Sequence, residues 1–427
     1  MNTQILQTII SDHLAEITAK KALPIKRDFT LSSELKSKEI TVVTGVRRCG
    51  KSSLLREFIT NHEYKDEILY VNFDDPRLIS FESEDFEKLY KIWLDNNAKP
   101  NIKIAIFDEI QNIEGWERWM NFFSDQKGFK VFISGSNSKL LSSELSSFLT
   151  GRHKDITLYP LSFNEILKHD LPELIKPRKT TEEKIIVNSL LKQYLHFGGF
   201  PRVWLGKDRS LLGEYYKDIL LKDIVSRRKL RQSKLIADFG TMVMSDIGRK
   251  INKSKLSEAI GIKEVNTVNK YFGYFDECYL GFEIEKFDTS ARKKMRNQTK
   301  FYSIDSALPT QVGLSNDSKI GFYFENAVLI ELYRRKCEVY YWEKQKSSEI
   351  DFVVKAADQK MELIQVAWNL EDKKTIEREV SAFEDFVNEF TNINISKKTI
   401  ITFEEYNGAD LPEGITVITF ADWALIQ

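Results

Sequence analysis

Two short segments contain residues whose types and spacing suit the binding of a phosphorylated nucleotide. The first, residues 45–52, reads Gly-Val-Arg-Arg-Cys-Gly-Lys-Ser and matches G-x-x-x-x-G-K-[ST]. Glycines let the backbone turn tightly enough for its N–H groups to point at phosphate oxygens, and the N-terminus of a following helix adds partial positive charge. The pattern predicts nucleotide contacts from nine residues: Gly45, Val46, Arg47, Arg48, Cys49, Gly50, Lys51, Ser52 and Ser53.

Individual roles follow from the side chains of this loop. Lys51 is expected to bridge the β and γ phosphates of ATP, and Ser52 to ligate Mg²⁺. Arg47 and Arg48 either contact phosphates or are solvated. Cys49 is either a nucleotide contact or only a small loop residue.

The second segment is an apolar strand, residues 103–107, that ends in two adjacent carboxylates, Asp108 and Glu109. Asp108 is expected to hold the Mg²⁺ through its water shell. Glu109 is expected to polarise the attacking water as a general base. The alternative is a solvated acidic turn, but the nearby phosphate-loop pattern favours the catalytic interpretation.

Two further positions extend the candidate site. The strand at residues 131–134 leads into Ser136 and Asn137, either of which could sense the γ-phosphate or simply cap the next helix. Arg152 is a candidate positive charge for the transition state, acting in its own subunit or across a subunit contact. A structural salt bridge is the alternative for Arg152.

Positioning these residues requires strands that alternate with helices. Short apolar runs at residues 40–44, 68–73, 104–107, 130–134 and 156–159 alternate with amphipathic stretches, which predicts a parallel sheet covered on both faces. Helical patterns at 161–171, 182–197 and 211–228 predict a lid and connector. Two short helices at 253–260 and 264–275 have helix-turn-helix spacing, and strands at 279–287 and 299–304 would form a wing.

A second α/β domain is predicted at the end of the chain, from a helix at 322–336 and strands at 339–342, 350–354, 361–366 and 399–403. The resulting division is an ATPase domain at 1–160, a helical lid and connector at 161–235, a winged helix at 236–305 and a terminal α/β domain at 306–427. A chain of 427 residues is long enough for several such cores.

Composition limits the class of protein. Lys plus Arg and Asp plus Glu both number 63, so the net charge does not indicate a polyanion partner for the whole chain. No apolar run is long enough for a membrane span, and no membrane partner is expected. Three scattered cysteines argue against disulfides and a zinc site and favour a reducing, cytoplasmic location.

The order of segments resembles a prokaryotic family in which an AAA-like P-loop ATPase module precedes a C-terminal domain of unknown function. The Walker A segment 45–52 and Walker B segment 106–111 are shared with many P-loop ATPases. The phrases Phe-Gly-Gly-Phe-Pro at 197–201 and Asp-Ile-Leu-Leu-Lys-Asp-Ile at 218–224 are specific to this group. The resemblance implies ATP and Mg²⁺ as ligands, and a sheet in which another strand separates the P-loop strand from the Asp-Glu strand.

Two hypotheses address partners of the C-terminal half. Residues 222–255 contain ten Lys or Arg against three Asp or Glu, and residues 291–300 add Arg292, Lys293, Lys294, Arg296 and Lys300. A winged helix could read DNA through Asn266, Thr267, Asn269 and Lys270, with wing cations on phosphates. The alternative is a module for contact with a protein partner or for self-association.

The terminal domain resembles a restriction-endonuclease-like core, with Glu325 on a helix and Asp351 on a strand. Active members need a second acid and a lysine on the next strand, and here these positions are Gln365 and Ala367. Glu362, Lys373 or Lys374 would have to compensate. A degenerate scaffold is therefore favoured over a metal-dependent nuclease.

Overall fold

The computed structural model describes residues 1–20, 24–138, 153–176, 179–290, 297–314, 319–344, 348–355, 360–406, 408 and 411–426. Arg152 and the wing-tip residues Arg292, Lys293, Lys294 and Arg296 lie outside these ranges. The chain forms two compact units. The first comprises residues 1–159 and 277–279, and the second comprises residues 160–276 and 280–427.

Fifteen α-helices occur among the described residues. They are α1 Thr3–Ala19, α2 Lys51–Asn61, α3 Asp85–Asn96, α4 Glu117–Asn121, α5 Phe163–Asp170, α6 Thr181–Phe197, α7 Pro201–Gly206, α8 Ser210–Asp218, α9 Ser233–Ser245, α10 Lys253–Ala259, α11 Val265–Glu277, α12 Pro309–Val312, α13 Ile320–Arg334, α14 Lys373–Glu389 and α15 Phe420–Trp423. Two π-helical segments, Phe122–Gln126 and Ile219–Ser226, continue α4 and α8.

The strands of the described residues form three sheets. They are β1 Ile40–Thr44, β2 Leu69–Asn72, β3 Ile104–Asp108, β4 Lys130–Gly135, β5 His153–Thr157, β6 Lys250–Ile251, β7 Gly281–Ile284, β8 Thr299–Ser303, β9 Glu338–Lys344, β10 Ser348–Lys355, β11 Met361–Ala367, β12 Ile395–Thr402 and β13 Ile415–Thr419.

The first unit is built on a five-stranded sheet in the order β2-β3-β4-β1-β5, with every neighbouring pair parallel. Strands β1 and β3 are buried at every position, as expected where helices cover both faces of a parallel sheet. Strand β4 lies between the P-loop strand β1 and the Asp-Glu strand β3. The P-loop NTPase sheet implied by the family resemblance is therefore confirmed.

The second unit contains two sheets. Strands β6, β8 and β7 form a small antiparallel sheet, next along the chain to the helix pair α10 and α11. The other sheet runs β13-β12-β11-β10-β9, antiparallel from β9 to β11 and parallel from β11 to β13. The second, C-terminal α/β fold predicted from the sequence is confirmed.

Four segments that differ from the sequence prediction are β5, the helix predicted at 211–228, α14 and β13. Strand β5 is His153–Thr157 and not residues 156–159, because its pairing with β1 starts at His153 and Ile40. The predicted helix 211–228 consists of α8 and a π-helical segment. Helix α14 and strand β13 had not been predicted. Helix α14 is strongly amphipathic and packs Ala382, Phe383 and Phe386 into the core of the terminal sheet.

Candidate functional site

The loop between β1 and α2 has the conformation that a phosphate-binding loop requires. Gly45 has φ of 143° and Gly50 has φ of 110°, values that favour glycine. A Cβ at Gly45 would lie 2.1 Å from the carbonyl oxygen of Leu158, the residue that follows β5. The first glycine is therefore required by the neighbouring backbone as well as by the turn.

Lys51 occupies the centre of this loop. Its side chain is buried, and its Nζ donates to the carbonyl oxygens of Gly45 at 2.9 Å and Val46 at 3.3 Å. The ammonium is thus held by backbone carbonyls that a phosphate oxygen could replace as its acceptor. Ser52, one residue further, is exposed at the first turn of α2.

The remaining loop residues differ in their surroundings. Val46 and Cys49 are buried, so Cys49 packs as a small apolar side chain. Arg47 is largely buried and lies 3.9 Å from Asp74, whereas Arg48 is exposed with φ of 73°. Ser53 is half-buried.

Asp108 is held from three sides at the carboxyl end of β3. It is buried and accepts hydrogen bonds from the hydroxyls of Ser134, of Ser52 and, at 3.3 Å, of Tyr70. Burial, followed by the charge of Glu109, raises its pKa, while the hydrogen bonds from Ser134 and Ser52 and the charge of Lys51 act in the opposite direction. A cation at this carboxylate would favour its ionised form.

Glu109 follows in a left-handed conformation, with φ of 54° and ψ of 42°. A non-glycine residue rarely adopts this conformation, and such strain concentrates at functional sites. The backbone N–H of Glu109 donates to Ser134 Oγ at 3.3 Å, and its carboxylate accepts from Gln111 Nε2 at 2.5 Å. The first contact holds the backbone of Glu109, and the second holds its carboxylate.

Two more polar residues, Ser136 and Asn137, directly follow β4. Ser136 and Asn137 are both buried. Within the described residues, the Ser136 hydroxyl has no hydrogen-bond partner. A buried hydroxyl without a partner is costly, so a ligand or water is expected to satisfy it.

Ser134 and Tyr70 were not identified from the sequence. Ser134 lies on the strand between the P-loop strand and the Asp-Glu strand, and its hydroxyl contacts both carboxylate residues through Asp108 and the Glu109 backbone. The strand order implied by the family resemblance was the signal that could have found it. Tyr70, buried on β2, carried no such signal.

Three family models match successive parts of this chain. Residues 37–167 match the model of an "AAA domain", residues 188–318 match a "Domain of unknown function (DUF8612)", and residues 320–423 match a "Domain of unknown function (DUF4143)". The "Uncharacterized protein MJ1544" of Methanocaldococcus jannaschii is 33% identical over 438 residues, which span 99% of this chain and 95% of the relative. The chain belongs to this prokaryotic AAA and DUF4143 family.

A second relative, an uncharacterized protein of Haemophilus influenzae, is 28% identical over 90% of this chain and 94% of its own length. Among solved structures, the Aeropyrum pernix ORC1 protein in complex with DNA aligns over 71% of this chain and 91% of that chain, with 14% identity and a TM-score of 0.32. The C. elegans PCH-2 structure aligns over 42% of this chain and 50% of that chain, with 15% identity and a TM-score of 0.24.

The donor set of the site fits Mg²⁺. A hydroxyl from Ser52 and a carboxylate from Asp108 are in contact, and both are oxygen ligands of the kind that Mg²⁺ combines with substrate phosphates. No cluster of three or more His, Cys, Asp or Glu side chains able to hold a metal occurs among the described residues. None of the described helices has the length and apolar character of a membrane span.

A separate cavity of about 800 Å³ lies in the second unit. Its charged lining residues come from both sheets of this unit, two helices and the turn before β6; they are Arg249, Lys250, Lys300, Glu325, Glu349, Asp351, Arg378 and Glu379. Lys300 is buried there, 2.6 Å from Glu349 and 3.4 Å from Glu325. The assignment of Lys300 to a DNA-facing wing is therefore wrong, because its ammonium is enclosed by carboxylates.

Two of the nuclease-like positions, Glu325 and Asp351, line the same cavity as this lysine. Asp351 accepts from the Val366 backbone N–H at 2.8 Å, and Tyr302 donates to Glu325. Gln365 accepts from the Asp351 N–H at 2.9 Å and donates to the Glu349 carbonyl at 2.8 Å. Both ends of its amide therefore join β11 to β10.

The side chains considered as replacements for the missing acid and lysine lie elsewhere. Glu362 contacts Thr399 at 3.0 Å and Lys397 at 3.4 Å. Lys373 and Lys374 are exposed, and Lys373 is 4.0 Å from Glu377. None of the three lines the cavity, so compensation by these side chains has no support in this arrangement.

Proposed function

We propose that the protein is a Mg²⁺-dependent ATPase whose nucleotide state controls how its C-terminal domains bind a partner. The proposal rests on the hydroxyl of Ser134, which donates to Asp108 and accepts from the backbone N–H of Glu109. The serine of the P-loop, Ser52, also donates a hydrogen bond to Asp108. An acidic turn without function would not require two carboxylate residues fixed at the end of a central strand.

In the proposed reaction, the oxygen of a water molecule bonds to the γ-phosphorus. The bond from that phosphorus to the bridging oxygen breaks, and its electron pair stays with ADP. Glu109 accepts a proton from the water and later releases it to phosphate or solvent. Lys51 binds β- and γ-phosphate oxygens, while Ser52 and Asp108 would hold Mg²⁺, which neutralises developing charge when bound.

Three further residues have proposed roles at the γ-phosphate. Ser136 and Asn137 would sense it, since the Ser136 hydroxyl needs a partner. Arg152 would supply positive charge to the transition state.

The first test is ATP binding and phosphate release by the wild type and by Lys51→Ala. Removing the ammonium is expected to weaken ATP binding by at least about tenfold, the effect of a charged hydrogen bond, and to abolish measurable hydrolysis. Lys91→Ala, an exposed lysine on α3, is the matched control and should behave as wild type. Failure of the wild type to bind ATP would contradict the proposed function.

A second candidate function is an ATP-regulated DNA-binding switch. It is favoured by the polar face of α11, where Asn266, Asn269 and Lys270 are exposed and Thr267 is half-buried. These side chains lie on the second helix of a helix-turn-helix pair, the position that enters the major groove in DNA-binding proteins.

Gel shifts with duplex DNA would test this switch. The affinity for DNA should fall by at least about tenfold between 50 and 200 mM salt. Lysine and arginine side chains release counterions from the DNA when they bind its phosphates, and added salt opposes that release. Asn266→Ala with Asn269→Ala should weaken binding further, while the exposed Asn392→Ala should not. Salt-independent binding would contradict a DNA function and leave the protein-partner interpretation.

A further inference from the structure

Gln111 lies on a rigid turn immediately after the two catalytic-site carboxylates. Residues Ile110–Asn112 form a single 3₁₀ turn, and Ile110 is fully buried. The Asn112 side chain donates to the Phe73 carbonyl at 3.1 Å, which ties this turn to the end of β2. The turn therefore holds the Gln111 side chain in a defined place beside Glu109.

The chemistry of the Glu109 contact fixes which end of the Gln111 amide faces which way. An ionised carboxylate only accepts hydrogen bonds, so the –NH₂ end of Gln111 must face Glu109, at 2.5 Å. Its carbonyl oxygen is therefore the end that does not contact Glu109. Although this Oε1 atom is buried, it has no hydrogen-bond partner within the described part of the chain.

A water molecule attacking phosphorus carries two protons, and a general base accepts one. The second proton also needs an acceptor, since a water held by a single hydrogen bond can rotate away from the line of attack. Gln111 Oε1 is a buried and unused acceptor on the same side chain that orients Glu109.

We propose that Gln111 is a positioning residue that holds the Glu109 carboxylate through its amide nitrogen and orients the attacking water through its carbonyl oxygen. This inference rests on the proposed ATPase function. In the transition state, the water oxygen bonds to the γ-phosphorus as the bond to ADP breaks. One proton passes to Glu109, and the other remains on the new phosphate oxygen.

Gln111→Met tests this role because it keeps the length of the side chain and removes both polar ends. The loss of one hydrogen bond to a charged group and of the water contact should lower kcat by about 10- to 100-fold. KM for ATP should stay within about threefold, because neither contact is made to ATP itself. Gln126→Met, an exposed glutamine in the same unit, is the matched control.

A binding readout separates positioning from general damage. The affinity for ADP with Mg²⁺ and aluminium fluoride, which mimics the transferring phosphoryl group, should fall with kcat, whereas the affinity for a non-hydrolysable ATP analogue should not. Gln111→Glu is a second variant for the case in which Gln111→Met misfolds, because glutamate has nearly the same shape as glutamine. It cannot donate to Glu109, so it should also be slow.

Three outcomes would overturn the assignment. They are an unchanged kcat in Gln111→Met, an increased kcat, which would mean that Gln111 restrains Glu109, and an equal loss of affinity for both nucleotide mimics. If wild type hydrolyses ATP and Glu109→Gln does not, a normal Gln111→Met enzyme refutes only this inference. If wild type does not hydrolyse ATP, the proposed function itself fails.

Discussion

Replacing Glu109 with glutamine is expected to lower kcat for ATP hydrolysis by about 10²–10⁴-fold, the usual contribution of a general base. The glutamine has the same shape, so the backbone contact with Ser134 and the left-handed turn should persist. ATP affinity should change little, since the role of Glu109 is confined to the attacking water. Single-turnover phosphate release and nucleotide titration would measure the two quantities separately.

Glu114→Gln provides the control for this experiment, because Glu114 is exposed a few residues further along the same segment. It should hydrolyse ATP at the wild-type rate. A Glu109→Gln variant with wild-type kcat would remove Glu109 as the base. A Glu109→Gln variant that also loses ATP binding would show that Glu109 contributes to binding of ATP and not only to the chemical step.

Replacing Lys300 with methionine is expected to destabilise the second unit by about 3–5 kcal/mol, the cost of removing one partner from a buried ion pair. Burial opposes the charged form of Lys300, but the charges of Glu325, Asp351 and Glu349 outweigh it and raise its pKa. A raised lysine pKa contributes stability that is fully present below the ordinary value of 10.5 and is lost only as pH rises through the folded value. The variant should therefore show the full decrease in its free energy of unfolding at neutral pH.

Thermal and urea unfolding of Lys300→Met would measure this effect. Lys397→Met is the matched control, since Lys397 forms a half-exposed pair with Glu362 at 3.4 Å and should cost less than about 1 kcal/mol. Adding Glu325→Gln to Lys300→Met should restore part of the loss by removing one uncompensated carboxylate. A Lys300→Met protein as stable as wild type would contradict the role of an internal counter-ion.

The nucleotide half of the molecule was largely predictable from sequence because its signals are local. The loop 45–52 and the pair Asp108 and Glu109 each combine a short motif with an adjacent strand. Ser134 and Gln111 were missed as contacts because a hydroxyl inside an apolar strand and an amide in a turn are common features. The role of Ser134 depends on the neighbouring strand, and the role of Gln111 depends on a single hydrogen bond.

The C-terminal half was less predictable because its chemistry is assembled from distant segments. Lys300 was counted among wing cations, since sequence neighbours such as Lys293 and Arg296 are basic. The carboxylates that pair with its buried ammonium lie on α13 and β10, 25 and 49 residues away in the chain. No periodicity in residues 291–300 carries that information.

The amide of Gln365 makes a carboxylate difficult to accommodate at the same position. A glutamate there could still accept from the Asp351 N–H, but it could not donate to the Glu349 carbonyl. It would also add negative charge next to Asp351, whose pKa is already raised by burial and by Glu325. A glutamate at this position would therefore leave the Glu349 carbonyl without its donor and add a charge next to a buried carboxyl, so it would fit only if neighbouring groups also changed.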